Sequence, residues 1–113
     1  MRRMPTAEDF FALDMRVGTV LEAASFPEAR KPSIRLTIDF GAELGVKHSS
    51  AQLTAHYTPE ELVGRQVVAA VNIGARRIAG FTSEVLVLGA MPNATDVVLL
   101  GLERPVTNGT RIG

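Results

Sequence analysis

Between Ser33 and Phe40 the chain alternates without error, with Ser33, Arg35, Thr37 and Asp39 on one side and Ile34, Leu36, Ile38 and Phe40 on the other. A period of two residues over this length belongs to a β-strand with one wet face and one dry face. The dry side is too bulky to be left against water, so the rest of the chain must supply a second layer or curl the sheet into a barrel.

With 113 residues, the chain is expected to form one domain spanning 1–113. Hydrophobic residues make up 46% and charged residues 21%, which sets aside disordered, collagen-like and coiled-coil chains. Cysteine is absent, which removes disulfides, thiolate chemistry and Cys-type zinc sites and fits a reducing compartment. The cationic start, Arg2-Arg3, runs into Glu8-Asp9 where a signal peptide would need about 7–15 apolar residues. No apolar run approaches the roughly 20 residues of a membrane helix. A cytoplasmic location is therefore expected, with no membrane partner. Asn93-Ala94-Thr95 and Asn108-Gly109-Thr110 fit the glycosylation pattern but read as turns.

Other segments take their places around the alternating strand. Thr6 with Asp9 three residues later marks the N-terminus of a short helix in an N-terminal arm, 1–13. Residues 15–23 read as strand 1, with Gly18 predicting a bend or bulge. Phe26 to Pro32 is a constrained loop between two prolines, and 46–53 is a polar strand 3. Thr58-Pro59-Glu60-Glu61 signals a helix with a capping box and Pro at its first position. Gln66 to Ile73 is a nearly continuous apolar run, suited to a strand covered on both sides. Residues 74–80 read as a loop, 85–88 as strand 5 and 97–102 as a sixth strand. Three strands, a helix and two more strands describe an all-β chain with minor helices. That is the layout of the OB-fold, a five-stranded Greek-key barrel over 14–90, followed by a C-terminal extension, 91–113. The N-terminal helix and the extension flank the barrel. Apolar runs at 85–88 and 97–100 exceed what one small barrel interior can hold, so the surplus is expected either to pack as a sixth strand within the monomer or to form a buried dimer contact.

Charge is neutral only on average. Twelve Lys and Arg residues balance twelve Asp and Glu residues, but residues 30–77 carry seven cations against four acids, a net of +3. OB-folds bind on the face of strands 2 and 3 and through the loops joining strands 1–2 and 4–5. Arg30 and Lys31 fall on the first loop, Arg76 and Arg77 on the second, and Arg35 and Lys47 on the strands. Arginine dominates, and its planar fork suits phosphate. Ser33, Thr37, Lys47, Ser49, Ser50 and Gln52 are expected to face outward as partners for phosphate and 2′-hydroxyl groups, the chemistry that reads folded RNA. Among strands 2 and 3 the lone phenylalanine, Phe40, points inward, so no base-stacking platform is expected.

Catalysis has no foothold. His48 and His56 lack ligand-spaced carboxylates, so no metal site is expected, and His48 occupies a polar strand position that can face RNA. Glu8-Asp9 and Glu60-Glu61 are explained by helix N-termini. Ser49-Ser50 lacks a nucleophile elbow, and no phosphate-cradling glycine motif occurs. No cofactor is expected.

Three long segments then converge on a known family. Phe26 to Ile34, Lys47 to Leu53 and Arg76 to Gly89, with the ending Pro105 to Ile112, resemble the CsaA family over residues 10–112. The family is a stand-alone version of the tRNA-binding domain attached to some methionyl-tRNA synthetases and present in the phenylalanyl-tRNA synthetase β chain. The resemblance implies an OB-fold homodimer that binds folded tRNA, with a chaperone and protein-export role toward unfolded preproteins. It also implies that Ala29-Arg30-Lys31, Ser49-Ser50-Ala51-Gln52 and Ser83-Glu84 contact RNA. Glu84, an acid beside such a surface, is expected to pair with Arg76 or Arg77. Gly74-Ala75 and Ala55 depart from the family's common Pro-Pro and Lys, which predicts a looser 4–5 loop and weaker RNA binding.

Overall fold

Thr6 opens helix α1 (Ala7–Ala12) in the computed structural model, which describes residues 3–113. Met1 and Arg2, counted in the expected N-terminal arm, lie outside the described residues. The predicted capping box is formed: the Asp9 amide donates to Thr6 Oγ1 at 3.1 Å, and the Thr6 amide donates to Asp9 Oδ2 at 2.8 Å. Strand β1 (Met15–Ser25) and strand β2 (Ile34–Asp39) follow, paired antiparallel from Thr19↔Asp39 to Ser25↔Ile34. A four-residue helical turn, α2 (Gly41–Leu44), leads into β3 (Val46–Ala51). Helix α3 (Pro59–Leu62) precedes β4 (Gln66–Ala70). Its capping carboxylate is Glu61, which accepts from the Thr58 amide at 3.0 Å.

Residues 74–80, expected to be a loop, instead contribute to a hairpin of β5 (Arg76–Ile78) and β6 (Phe81–Ser83). Ala79 (φ 47°) and Gly80 (φ 83°) form its two-residue turn, with both backbones in the left-handed region that such tight hairpins require. The missed cue is Ala79, a residue that seldom adopts this conformation. Strand 5 is shorter than expected, β7 (Leu86–Val87). It is followed by a second hairpin, β8 (Gly89–Asn93) with β9 (Asp96–Leu99).

The main sheet has the order β3-β2-β1-β4-β7 and forms the nearly closed barrel of the OB-fold. The dry face of β2 lies inside: Ile34, Leu36, Ile38 and Phe40 are buried with Val20, Leu53, Leu62, Val67, Ala69 and Val85. Strand β4 is covered on both sides as its apolar run predicts. Val67 and Ala69 face this core, while Val68 and Ala70 join Met15 in a second cluster on the other side. Gly18 marks a close approach rather than a bulge, because a Cβ there would sit 2.6 Å from Ile38 Cγ2 and 2.8 Å from Phe40 Cδ1. The register shift of β1 falls instead between Val20 and Glu22. The C-terminal segment continues the sheet where β2 has left β1: Gly109 donates to Val17 O at 2.7 Å and Ile112 to Met15 O at 2.9 Å.

Polar side chains seal the gap between the outer strands β3 and β7. The Glu84 amide donates to His48 O at 2.7 Å, Ser49 Oγ to Val85 O at 3.0 Å, and the Ser50 amide to Ser83 Oγ at 3.1 Å. Ser49 and Ser83 are buried for this reason.

Candidate nucleic-acid interface

Strand pairing decides which β3 side chains share the outer face of β2. Arg35 pairs with Ser50 and Thr37 with His48, so these four project together, whereas Lys47 and Ser49 pair with Ile38 and Leu36 on the inward-facing register. The expectation that Ser33, Lys47 and Ser49 are outward-facing groups is corrected: Lys47 is half-buried and the two serines are buried. Ser49, at 1% exposure, is buried because β3 enters the seam of the barrel and its odd-numbered positions turn inward, whereas Ser33, just before β2, is buried where its hydroxyl donates to Lys31 O within the 1–2 loop.

The 1–2 loop is anchored from within. Phe26 is buried, its amide donates to Ser33 O at 3.0 Å, and Ser33 Oγ donates to Lys31 O at 3.0 Å. That frame leaves Arg30 and Lys31 exposed. The β5–β6 hairpin presents Arg76 and Arg77 from the opposite side, with Arg77 steadied by a 2.7 Å hydrogen bond from Nη1 to Thr82 Oγ1. Arg30, Lys31, Arg76 and Arg77, together with Ser50 and Gln52, line one open groove of about 920 Å³. Glu28 is its acidic lining residue. Among the described residues, carboxylates within 4.0 Å engage Arg3, Arg16 and Arg104, but none engages these four groove cations. Their charge is thus held by the fold and left unneutralised, as an anion-binding surface requires.

The other expected residues fall elsewhere. Arg35 lies in an adjoining hollow of about 250 Å³ with Glu22, Thr37 and Phe81. Lys47 approaches Glu84 at the seam, and Arg65 stands over the Tyr57 ring at 5.3 Å, away from the groove. Ser83 serves the seam. Glu84 pairs with His48, not with Arg76 or Arg77: its Oε1 accepts from the His48 amide at 3.0 Å and lies 3.1 Å from Nδ1. Burial pushes the Glu84 carboxyl up, but the hydrogen bonds from the His48 side chain and backbone, with Lys47 nearby, outweigh it and hold the carboxyl below its ordinary range. The geometric cause is that residues 83–85 dock on β3 while Arg76 and Arg77 sit on the far arm of the hairpin.

An aromatic cluster was not foreseen. Phe81, half-buried, meets Phe26 edge-on at 5.5 Å and His48 at 6.1 Å, and the Arg35 guanidinium lies 5.2 Å from the Phe26 ring and 5.9 Å from the Phe81 ring. Phe40, the lone phenylalanine of the predicted strands 2 and 3, points inward as expected, and the phenyl rings of the cluster come from outside the strands that predict no stacking platform. Periodicity within β2 and β3 carries no signal for it, because two of its rings come from loop and hairpin positions far apart in the chain.

Residues 15–111 match the family model described as "Putative tRNA binding domain". Among solved structures, the chaperone CsaA of Bacillus anthracis strain Ames is 58% identical, with a TM-score of 0.92 over 98% of this chain and 100% of that one. The CsaA chaperone protein of Picrophilus torridus is 42% identical, with a TM-score of 0.88 over 97% of this chain and 100% of that one. A methionine–tRNA ligase of Bacteroides fragilis is 38% identical over 105 residues, 93% of this chain but 15% of the ligase.

Proposed function

This chain belongs to the tRNA-binding-domain family, and on that premise we propose that it binds folded tRNA, without catalysis, through the groove between the 1–2 loop and the β5–β6 hairpin. The observation that carries the reading is the convergence of Arg30, Lys31, Arg76 and Arg77 on one groove with no carboxylate partner among the described residues. Phosphate contacts of this kind position an RNA by shape, and Ser50 and Gln52 on the groove floor add neutral hydrogen-bonding groups suited to ribose. We place this work in the cytoplasm, where tRNA is used; among the described residues no helix is long and apolar enough to cross a membrane.

Two copies of the chain act together. Support comes from apolar side chains left exposed on α1 and on the second hairpin, Phe10, Phe11, Met91 and Val98, which a second copy would cover. Paired grooves on a rigid frame raise effective concentration for an RNA that spans both.

The test is a titration with unfractionated tRNA over a range of salt, using wild type and Arg30→Ala/Lys31→Ala. Affinity should fall in the variant, and the dependence of log affinity on log salt should flatten by about 0.7–0.9 per lost phosphate contact. Unchanged affinity and slope would remove the groove from the function. A second reading, capture of unfolded preproteins for export, is favoured by the same exposed apolar groups and by the chaperone names of the two similar structures. It predicts binding that persists as salt rises, since apolar association is not screened.

A further inference from the structure

The hollow beside the groove has the features of a site for a planar ring. Its floor is the outer face of β1 and β2, where Glu22 pairs with Thr37 and Ala24 with Arg35. The alanine leaves open the space that a larger side chain would fill. Its wall is the half-buried face of Phe81, fixed by edge contacts to Phe26 and His48. Arg35 is held against both phenyl rings, yet among the described residues no carboxylate lies within ion-pair distance of it and no protein acceptor takes its N–H groups. A guanidinium positioned so firmly and left with unused donors is prepared for a ligand.

The volume of about 250 Å³ is below the roughly 300–1,000 Å³ of pockets for drug-sized molecules, and so suits a single heterocycle rather than a helix. Location ties it to the phosphate groove. Ser33, in the groove lining just before β2, and Arg35, in the hollow on β2, are two positions apart, a span of about 6.6 Å. Ala79 and Phe81 bring the β5–β6 hairpin to both places.

We propose that this hollow receives one unpaired nucleobase of the bound RNA and favours a base with an exocyclic amine. The base stacks on Phe81, the Arg35 guanidinium contacts its face or its acceptor edge, and the Glu22 carboxylate accepts from the amine, with Thr37 as a second polar partner. Glu22 supplies the selectivity: a carboxylate beside phosphates is unfavourable unless it receives a donor, and cytosine and adenine carry that donor where uracil carries a carbonyl. The proposal rests on the RNA-binding reading above and adds to it the class of nucleotide that the site selects.

The probes are the 5′-phosphorylated dinucleotides pCpC, pApA and pUpU, followed by NMR of the protein, together with unfractionated tRNA followed by anisotropy at low salt. With wild type, pCpC and pApA should shift the Phe81 ring and Arg35 Nε–H signals more strongly than pUpU. Phe81→Leu keeps an apolar side chain but loses the stacking face, and should weaken tRNA binding by about fivefold or more. Glu22→Gln should erase the preference for pCpC over pUpU. If Glu22 merely repels phosphate, Glu22→Gln tightens all three dinucleotides equally, and the selectivity claim is overturned. Binding of tRNA that depends on Arg30 and Lys31 but is unaltered in Phe81→Leu, with no dinucleotide shifts at Phe81, overturns the base site and leaves the groove intact. Absence of any tRNA binding by wild type overturns both.

Discussion

Oε1 of Glu84 serves two donors of one residue, lying 3.0 Å from the amide nitrogen of His48 and 3.1 Å from its ring Nδ1. The backbone amide of Glu84 returns a bond to His48 O at 2.7 Å. This reciprocal clamp joins β3 to the segment between β6 and β7, so an acid beside a cationic groove is explained by barrel closure.

The clamp has a pH signature. Folding lowers the Glu84 carboxyl below its ordinary value of 4.5, so its contribution to stability is fully present above that value and is lost as pH falls through the lower, folded value. Glu84→Gln should therefore be less stable than wild type at neutral pH, with the gap narrowing below about pH 4.5. Asp14, held low mainly by its hydrogen bond from Arg16, titrates in the same direction in both proteins and cancels from the difference. Urea midpoints measured across the acid range check this, and a constant gap refutes it.

Ser49 is the second test of the seam. Removing its hydroxyl in Ser49→Ala leaves Val85 O without that partner, at a cost of about 1–3 kcal/mol. Affinity for tRNA should be unaltered. The reverse result, lost affinity at full stability, would return Ser49 to the RNA surface.

Gly18→Ala places a methyl group against Ile38 and Phe40 at distances no real contact tolerates. Because both neighbours are core side chains locked in the barrel, the substitution should destabilise by about 1–3 kcal/mol through overpacking. Thermal or urea unfolding reads the effect directly, and a neutral result would show that Phe40 can move aside.

Arg76→Ala/Arg77→Ala should reduce tRNA affinity and flatten its salt dependence to a similar degree as the Arg30→Ala/Lys31→Ala pair, since both pairs line one groove. Arg65→Ala, which removes a cation stacked on Tyr57 outside the groove, should leave the slope unchanged. A slope change in Arg65→Ala about half that of either double variant would mean that only net charge matters. Wild-type affinity at physiological salt should be no tighter than about micromolar, given Gly74-Ala75 and Ala55.

Much of the barrel was legible because its signals are local. Alternation along 33–40, the capping residues Thr6 and Thr58, and the apolar run of β4 each satisfy their own backbone or bury their own face, whatever the remainder of the chain does. The four groove cations were legible for a related reason: they lie on the two connections, 1–2 and 4–5, whose place in an OB-fold follows from strand order, although the second connection folds as a hairpin with Arg76 and Arg77 on β5. The β5–β6 hairpin was not, because its turn uses Ala79 in a conformation that the residue type argues against.

Strand order and inward-facing periodicity, then, were written in residue types, since burial of alternate side chains is a property of each segment alone. Whether Ser49 meets solvent, whether Glu84 meets an arginine or His48, and whether Phe26, Phe81 and Arg35 meet at all depended on the register of β3 against β2 and on where the barrel closes. Those are relations between distant segments, and a one-residue change of register moves a side chain from core to surface.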